Sequence, residues 1–93
     1  MTEKLYDKDS HLKEFTGTVL SCKKTGEKYA VTLNRTAFFP EGGGQQSDRG
    51  YIGDAYISDV QIKNGEILHF ADKPLSVGQA YDCKLDFDFR FRN

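Results

Sequence analysis

The chain has 93 residues, 13 basic against 14 acidic side chains for a formal net charge of −1, 38% apolar residues, seven Phe, five Tyr and no Trp. That length suits one domain, its aromatic content argues against a disordered chain, and its balanced charge restricts any nucleic-acid contact to a local patch. Two cysteines, Cys22 and Cys83, are too few for a disulfide scaffold, and no stretch has the length of a membrane span or leader core, so the reading is a cytoplasmic protein with free thiols and no membrane partner.

In chain order, "HLKEFTGTVLSC" ends in a β-branched run, and Thr25-Gly26 gives a hairpin signal. "KYAVTLN" alternates, with Tyr29, Val31 and Leu33 on one face and Ala30, Thr32 and Asn34 on the other. "YIGDAYISDVQIK" carries a second alternation, Val60 and Ile62 against Asp59 and Gln61. Asn64-Gly65 then supplies the two positive-φ residues of a type I′ turn. "EILHFA" returns, Pro74 and Gly78 punctuate a connection, and Tyr81, Cys83, Leu85, Phe87, Phe89 and Phe91 alternate with polar residues.

No 3.6-residue repeat persists for three turns, and no crossover helix separates the strands. The expected fold is all-β, mainly antiparallel: one small closed or partly open β-barrel over residues 1–93, with a glycine-rich loop at 40–50. The pattern stops at Asn93 while still laying down apolar residues. An alternative for the last stretch is a helix starting at Asp86, and either form leads to the expectation that more polypeptide follows.

The segment "AFFPEGGGQQSDRG" is the chemical candidate. Each glycine costs roughly 0.5–1 kcal/mol relative to alanine in a regular element. Three in a row therefore mark either a tolerated loop or a place where main chain must approach something closely. Gly42, Gly43 and Gly44 could present convergent N–H groups, Gln45 and Gln46 add amides, Asp48 is an acceptor, and Arg49 could pair with phosphate. The Gly-Lys-Ser/Thr of a phosphate-binding P-loop is missing, and so is the βαβ setting of a dinucleotide site. Taken alone, a glycine triplet between strands is more often a mobile loop than a site.

His11 reads as a surface residue and His69 as a hydrogen-bonded barrel histidine. With Cys22 and Cys83 far apart in sequence, no zinc set assembles and no nucleophile–histidine signature is visible. Arg90 and Arg92 form a small basic end that could touch RNA phosphates, although two arginines are usually just a solvated face.

"LNRTAFFPEGGGQQSDRG" resembles the alanyl-tRNA synthetase family, specifically its editing region and the free-standing AlaX-type trans-editing proteins. Thr36, Phe38, Pro40, Glu41, Gly42, Gly43, Gly44, Gln45, Asp48 and Gly50 stand in the family's places. Asn34, Phe39 and Gln46 depart from its usual Asp, Tyr and Pro. "LYDKDSHLKEFTGTVL", "ILHF" and "LSVGQAYDCKLD" extend the likeness over nearly the whole chain.

The resemblance implies an N-terminal β-barrel of the translation-protein type, cut off before a zinc-binding half whose His-x-x-x-His and Cys-x-x-x-His segments this sequence lacks. It implies that Thr36, Gly42, Gly43, Gly44, Gln45 and Asp48 bind substrate. They would wall a zinc-centred site that hydrolyses seryl- or glycyl-tRNA specific for alanine. Zinc and the aminoacylated 3′ end of tRNA are then expected of the full-length protein, with no catalytic or metal residue in this chain, and the chain by itself is expected to be inactive. Two other readings stand beside it: an RNA-binding or protein-interaction barrel without catalysis, and a structural barrel with an inert loop.

Overall fold

Alternating apolar residues in short runs, interrupted by two-residue turns, produce eight strands and no α-helix among the described residues. The structure, a computed structural model, describes residues 3–5, 12–41 and 47–86. The strands are β1 (Glu3–Lys4), β2 (Glu14–Thr25), β3 (Lys28–Leu33), β4 (Arg35–Thr36), β5 (Gly50–Ile52), β6 (Ala55–Lys63), β7 (Glu66–Ala71) and β8 (Ala80–Leu85). Six of them close a barrel in the order β2-β3-β7-β6-β5-β8, every pair antiparallel, and β1 pairs with β4 in parallel. The barrel expected from the sequence is therefore present and closed. Closure leaves none of its six strands as an open edge.

Closure depends on β2 serving two neighbours. Its first half, Glu14 to Thr18, pairs with β8, and its second half, Val19 to Thr25, pairs with β3. A register shift between Val19 and Ser21 lets the strand turn the corner and leaves Leu20 on the outside, 47% exposed. A second shift between Ile57 and Asp59 acts on β6 in the same way. Ala55 and Ile57 point inward before it and Val60 after it, so the inward positions change from odd to even. This corrects the expected face of Val60 and Ile62: Val60 is buried, whereas Ile62 is 50% exposed. The extra residue is Ser58, whose buried hydroxyl has no hydrogen-bond partner among the described residues.

The turns obey their chemistry. Lys63 pairs with Glu66 across Asn64 and Gly65, whose φ values of 54° and 81° are the left-handed pair expected from the sequence. At the first hairpin Thr25 pairs with Lys28, so the turn residues are Gly26 and Glu27, one position later than Thr25-Gly26. Gly26, at φ 64°, takes the first turn position. A third tight turn, Gly53–Asp54, joins β5 to β6 upstream of the alternation read at residues 59–62.

The core gathers Val19, Val31, Leu33, Ile52, Ile57, Val60, Ile67, Cys83 and Leu85 from all six barrel strands. Tyr29 packs against it beside Val31 and Leu33, the inward face read from "KYAVTLN". Ala37 and Phe38, just past β4, enter the same core from a non-strand segment. Phe38 lies edge-on to Phe15 at 5.9 Å and to His69 at 5.4 Å between ring centroids. Burying such a side chain contributes roughly 1.5–3 kcal/mol and fixes the segment that enters the glycine loop.

Candidate functional site

The loop begins where Thr36 ends β4, and its entry is held from below by a buried polar chain. His69 on β7 has both ring nitrogens engaged: Nδ1 lies 2.8 Å from the Val31 carbonyl and Nε2 lies 2.8 Å from Thr36 Oγ1. A carbonyl only accepts, so Nδ1 carries the proton and Nε2 accepts from the Thr36 hydroxyl. Thr36 Oγ1 in turn accepts from the Phe38 N–H at 3.0 Å, closing a local turn that aims Phe38 into the core. His69 is completely buried, and that desolvation lowers its pKa to about 4 against a smaller upward pull from the Val31 carbonyl. The imidazole is therefore neutral at physiological pH, the form this arrangement requires.

Both stems of the loop are moored. Phe39 and Asp48 clamp each other: the Phe39 N–H donates to Asp48 Oδ2, and the Asp48 N–H donates to the Phe39 carbonyl, each at 2.9 Å. The Glu41 N–H donates to the Val60 carbonyl at 2.8 Å. From the other stem, Ser47 Oγ donates to Asp59 Oδ1 at 2.9 Å and accepts from the Val60 N–H at 3.0 Å. Gln61 Nε2 donates to Glu41 Oε1 at 3.1 Å and to Asp59 Oδ2 at 2.9 Å. The β6 bulge thus turns the backbone at Val60 and the side chains of Asp59 and Gln61 toward the loop.

The exit is closed by Gly50, which pairs with both Ile57 and Leu85. A Cβ there would meet the Lys84 carbonyl oxygen and lie 2.9 Å from Leu85 Cα, so only glycine lets β5 and β8 approach this closely. The Asp86 N–H donates to the Arg49 carbonyl at 2.7 Å, which sets the end of β8 beside the loop's exit.

Of the six residues expected at a substrate site, Thr36 and Asp48 lie among those described, both buried at the base of the loop. Gly42, Gly43, Gly44 and Gln45 fall outside the described residues, as do Gln46, His11 and the stretch 87–93 with its strand-or-helix alternative, Arg90 and Arg92. Ser47 lies within the loop segment itself, but nothing in the sequence pattern alone ties Asp59, Gln61 and His69 to this region. The only sequence signal of these three is a polar residue within an otherwise apolar strand. His69 is the hydrogen-bonded barrel histidine its position between Leu68 and Phe70 implied.

The described residues do not fit a zinc ion. No group of three or more His, Cys, Asp or Glu among them could hold a metal, and both nitrogens of His69 are already engaged. Cys22 and Cys83 are free thiols on different strands. Burial, reinforced by the nearby Asp82 carboxylate and partly offset by a hydrogen bond to the Gly17 backbone, pushes the Cys83 thiol up to about 12, far from a thiolate ligand.

A closed six-stranded barrel carrying a glycine loop moored at both stems is the setting in which the family likeness acquires its meaning. The sequence profile of the tRNA synthetases class II (A) matches residues 6–89, and the chain belongs to that family. Within it, the chain is related to the alanyl-tRNA editing proteins and alanine–tRNA ligases. It is 38% identical to the alanyl-tRNA editing protein AlaX-M of Pyrococcus horikoshii, across 99% of this chain and 42% of that protein. To AlaX-M of Saccharolobus solfataricus it is 41% identical, across 99% of this chain and 41% of the relative. The alanine–tRNA ligase of Halorubrum lacusprofundi matches at 40% identity over 98% of this chain, which is 10% of the ligase. The chain thus spans about two fifths of the length of the two editing proteins and a tenth of the ligase.

Proposed function

We propose that this chain is the barrel half of an alanyl-tRNA editing site, with residues 42–45 as the wall against which the aminoacylated 3′ end of tRNA is held. The observation that supports this most is the double mooring of the stems that flank the three glycines: Phe39 and Asp48 clamp each other, and Glu41 and Ser47 are bonded to β6. Glycines there let an adenosine and a small aminoacyl group approach the main chain without Cβ interference. Gln45 supplies an amide to that face. Thr36 and Asp48 serve the wall from its base, one by setting the entry turn and the other by clamping the stems.

The substrates on this reading are seryl- and glycyl-tRNA specific for alanine. Binding in one pocket separates such small side chains by only ~10–200-fold, which is the reason a separate hydrolytic site is useful. Zinc and its ligands belong, on the same reading, to polypeptide outside these 93 residues. The test is deacylation of seryl-tRNA by a longer polypeptide that carries this barrel. Gly43→Val or Gln45→Ala is expected to lower turnover at least tenfold with the fold intact, and the 93-residue protein is expected to have no activity. Unchanged turnover in both variants, or zinc-dependent deacylation by the 93-residue protein, overturns the proposal.

A further inference from the structure

The outer surface of the barrel carries a second feature that the loop does not explain. Strand alternation that sends Cys22, Val31, Ile67 and His69 inward sends Ser21, Ala30, Thr32, Leu68 and Phe70 outward. These outward residues floor a groove of about 570 Å³ across β2, β3, β7 and β6. Its rims hold Lys23 and Lys24 from β2 and Lys63 from β6; Glu66 is the one lining carboxylate, while those of Glu41 and Asp59 are bonded to Gln61 at its margin. None of the three lysines has an ion-pair partner among the described residues, and all are exposed. A protein of net charge −1 thus lines one concavity with three lysines against one carboxylate.

We propose that this groove binds the phosphate backbone of RNA. Lysines are mobile point charges suited to phosphates. The Ser21 hydroxyl, bonded to that of the buried Thr32 at 2.7 Å, lies on the groove floor, and the half-buried Phe70 offers a face on which a base can stack. An acidic peptide is the competing occupant. Peptides commonly dock by adding a strand to a sheet edge, and the closed barrel has none to offer.

The groove and the glycine loop are also joined through one side chain. Gln61 lines the groove, and its amide holds Glu41 and Asp59 at the loop's base. The inference rests on the editing reading only for which RNA is bound, not for where RNA lies.

The experiment measures binding of the 93-residue protein to a fluorescent RNA hairpin with a single-stranded 3′ overhang, over a series of salt concentrations. The triple variant Lys23→Ala/Lys24→Ala/Lys63→Ala, with its fold checked by circular dichroism, is expected to bind roughly tenfold or more weakly at low salt. Its log K against log salt slope should be shallower by about 2 to 3, a step of roughly 0.7–0.9 for each phosphate that a lysine no longer neutralises. Replacing the three lysines by arginine should retain both affinity and slope.

Unchanged affinity and slope in the triple alanine variant overturn the proposal, and so does tighter lysine-dependent binding of a polyglutamate peptide than of RNA. Deacylation by the longer polypeptide separates the two readings. If Gly43→Val abolishes turnover while the lysine variant binds RNA normally, the groove inference falls and the editing site stands. If the lysine variant loses RNA while Gly43→Val and Gln45→Ala turn over normally, the editing reading falls and the groove stands.

Discussion

Acid should destabilise this barrel through one residue. His69 is buried neutral, with Nδ1–H on the Val31 carbonyl and Nε2 accepting from Thr36, and burial lowers its pKa from 6.5 to about 4. Below pH 6.5 the unfolded chain takes up a proton at this position that the folded chain refuses. The stability contributed by the neutral ring is therefore complete above pH 6.5, declines as pH falls from 6.5 toward 4, and levels off below 4. The gap of 6.5 minus about 4 corresponds, at roughly 1.36 kcal/mol per pH unit, to about 3 kcal/mol. That is a large share of the ~5–15 kcal/mol that usually holds a domain together. Urea unfolding of the protein and of His69→Gln at pH 7, 6, 5 and 4 isolates the effect, because the difference between the two curves cancels every other titrating group. The wild type should lose about 3 kcal/mol more than the variant across that window. Parallel pH profiles, or an NMR titration of the His69 ring with a midpoint near 6.5, would refute the reasoning.

Gly50→Ala drives a Cβ into the Lys84 carbonyl, and a clash between two backbones cannot be relieved by a rotamer; the melting temperature should fall by an amount matching ~3 kcal/mol or more. Asp48→Asn weakens a charge-assisted bond to the Phe39 N–H and should cost about 1–2 kcal/mol in urea unfolding, with faster proteolytic nicking at residues 42–46; cleavage at an unchanged rate contradicts the clamp. The Cys83 thiol, pushed up to about 12 by burial, should resist iodoacetamide in the folded protein, while the half-buried Cys22 reacts first as followed by peptide mass spectrometry.

The barrel was legible because its strands repeat at period two and its turns use residues tolerant of positive φ. Cys83 and Leu85 fall inward as written, and Asn64-Gly65 makes the turn its chemistry demands. The misreadings have one physical source. A bulge inserts a residue without any compositional mark, so Ser58 shifts the inward face of β6 and leaves Ile62 outside. The same blindness to register displaced the first turn by one residue. At the loop, the glycines and their flanking motif are conspicuous in the sequence, whereas the supports are not. His69 meets Thr36 across 33 positions, and Asp59 meets Ser47 across 12, so only closure of the barrel brings them together. The groove was invisible for the same reason: Lys23 and Lys63 belong to different hairpins.

The two stems of the glycine segment are fastened to the same short piece of β6, from Asp59 to Gln61. Anchorage of this kind ties the position of both stems to one bulge. Substitutions between the anchors should leave folding free energy nearly untouched, while anything that disturbs the bulge swings both stems together. Sequence drift in β6 is therefore where tolerance ends.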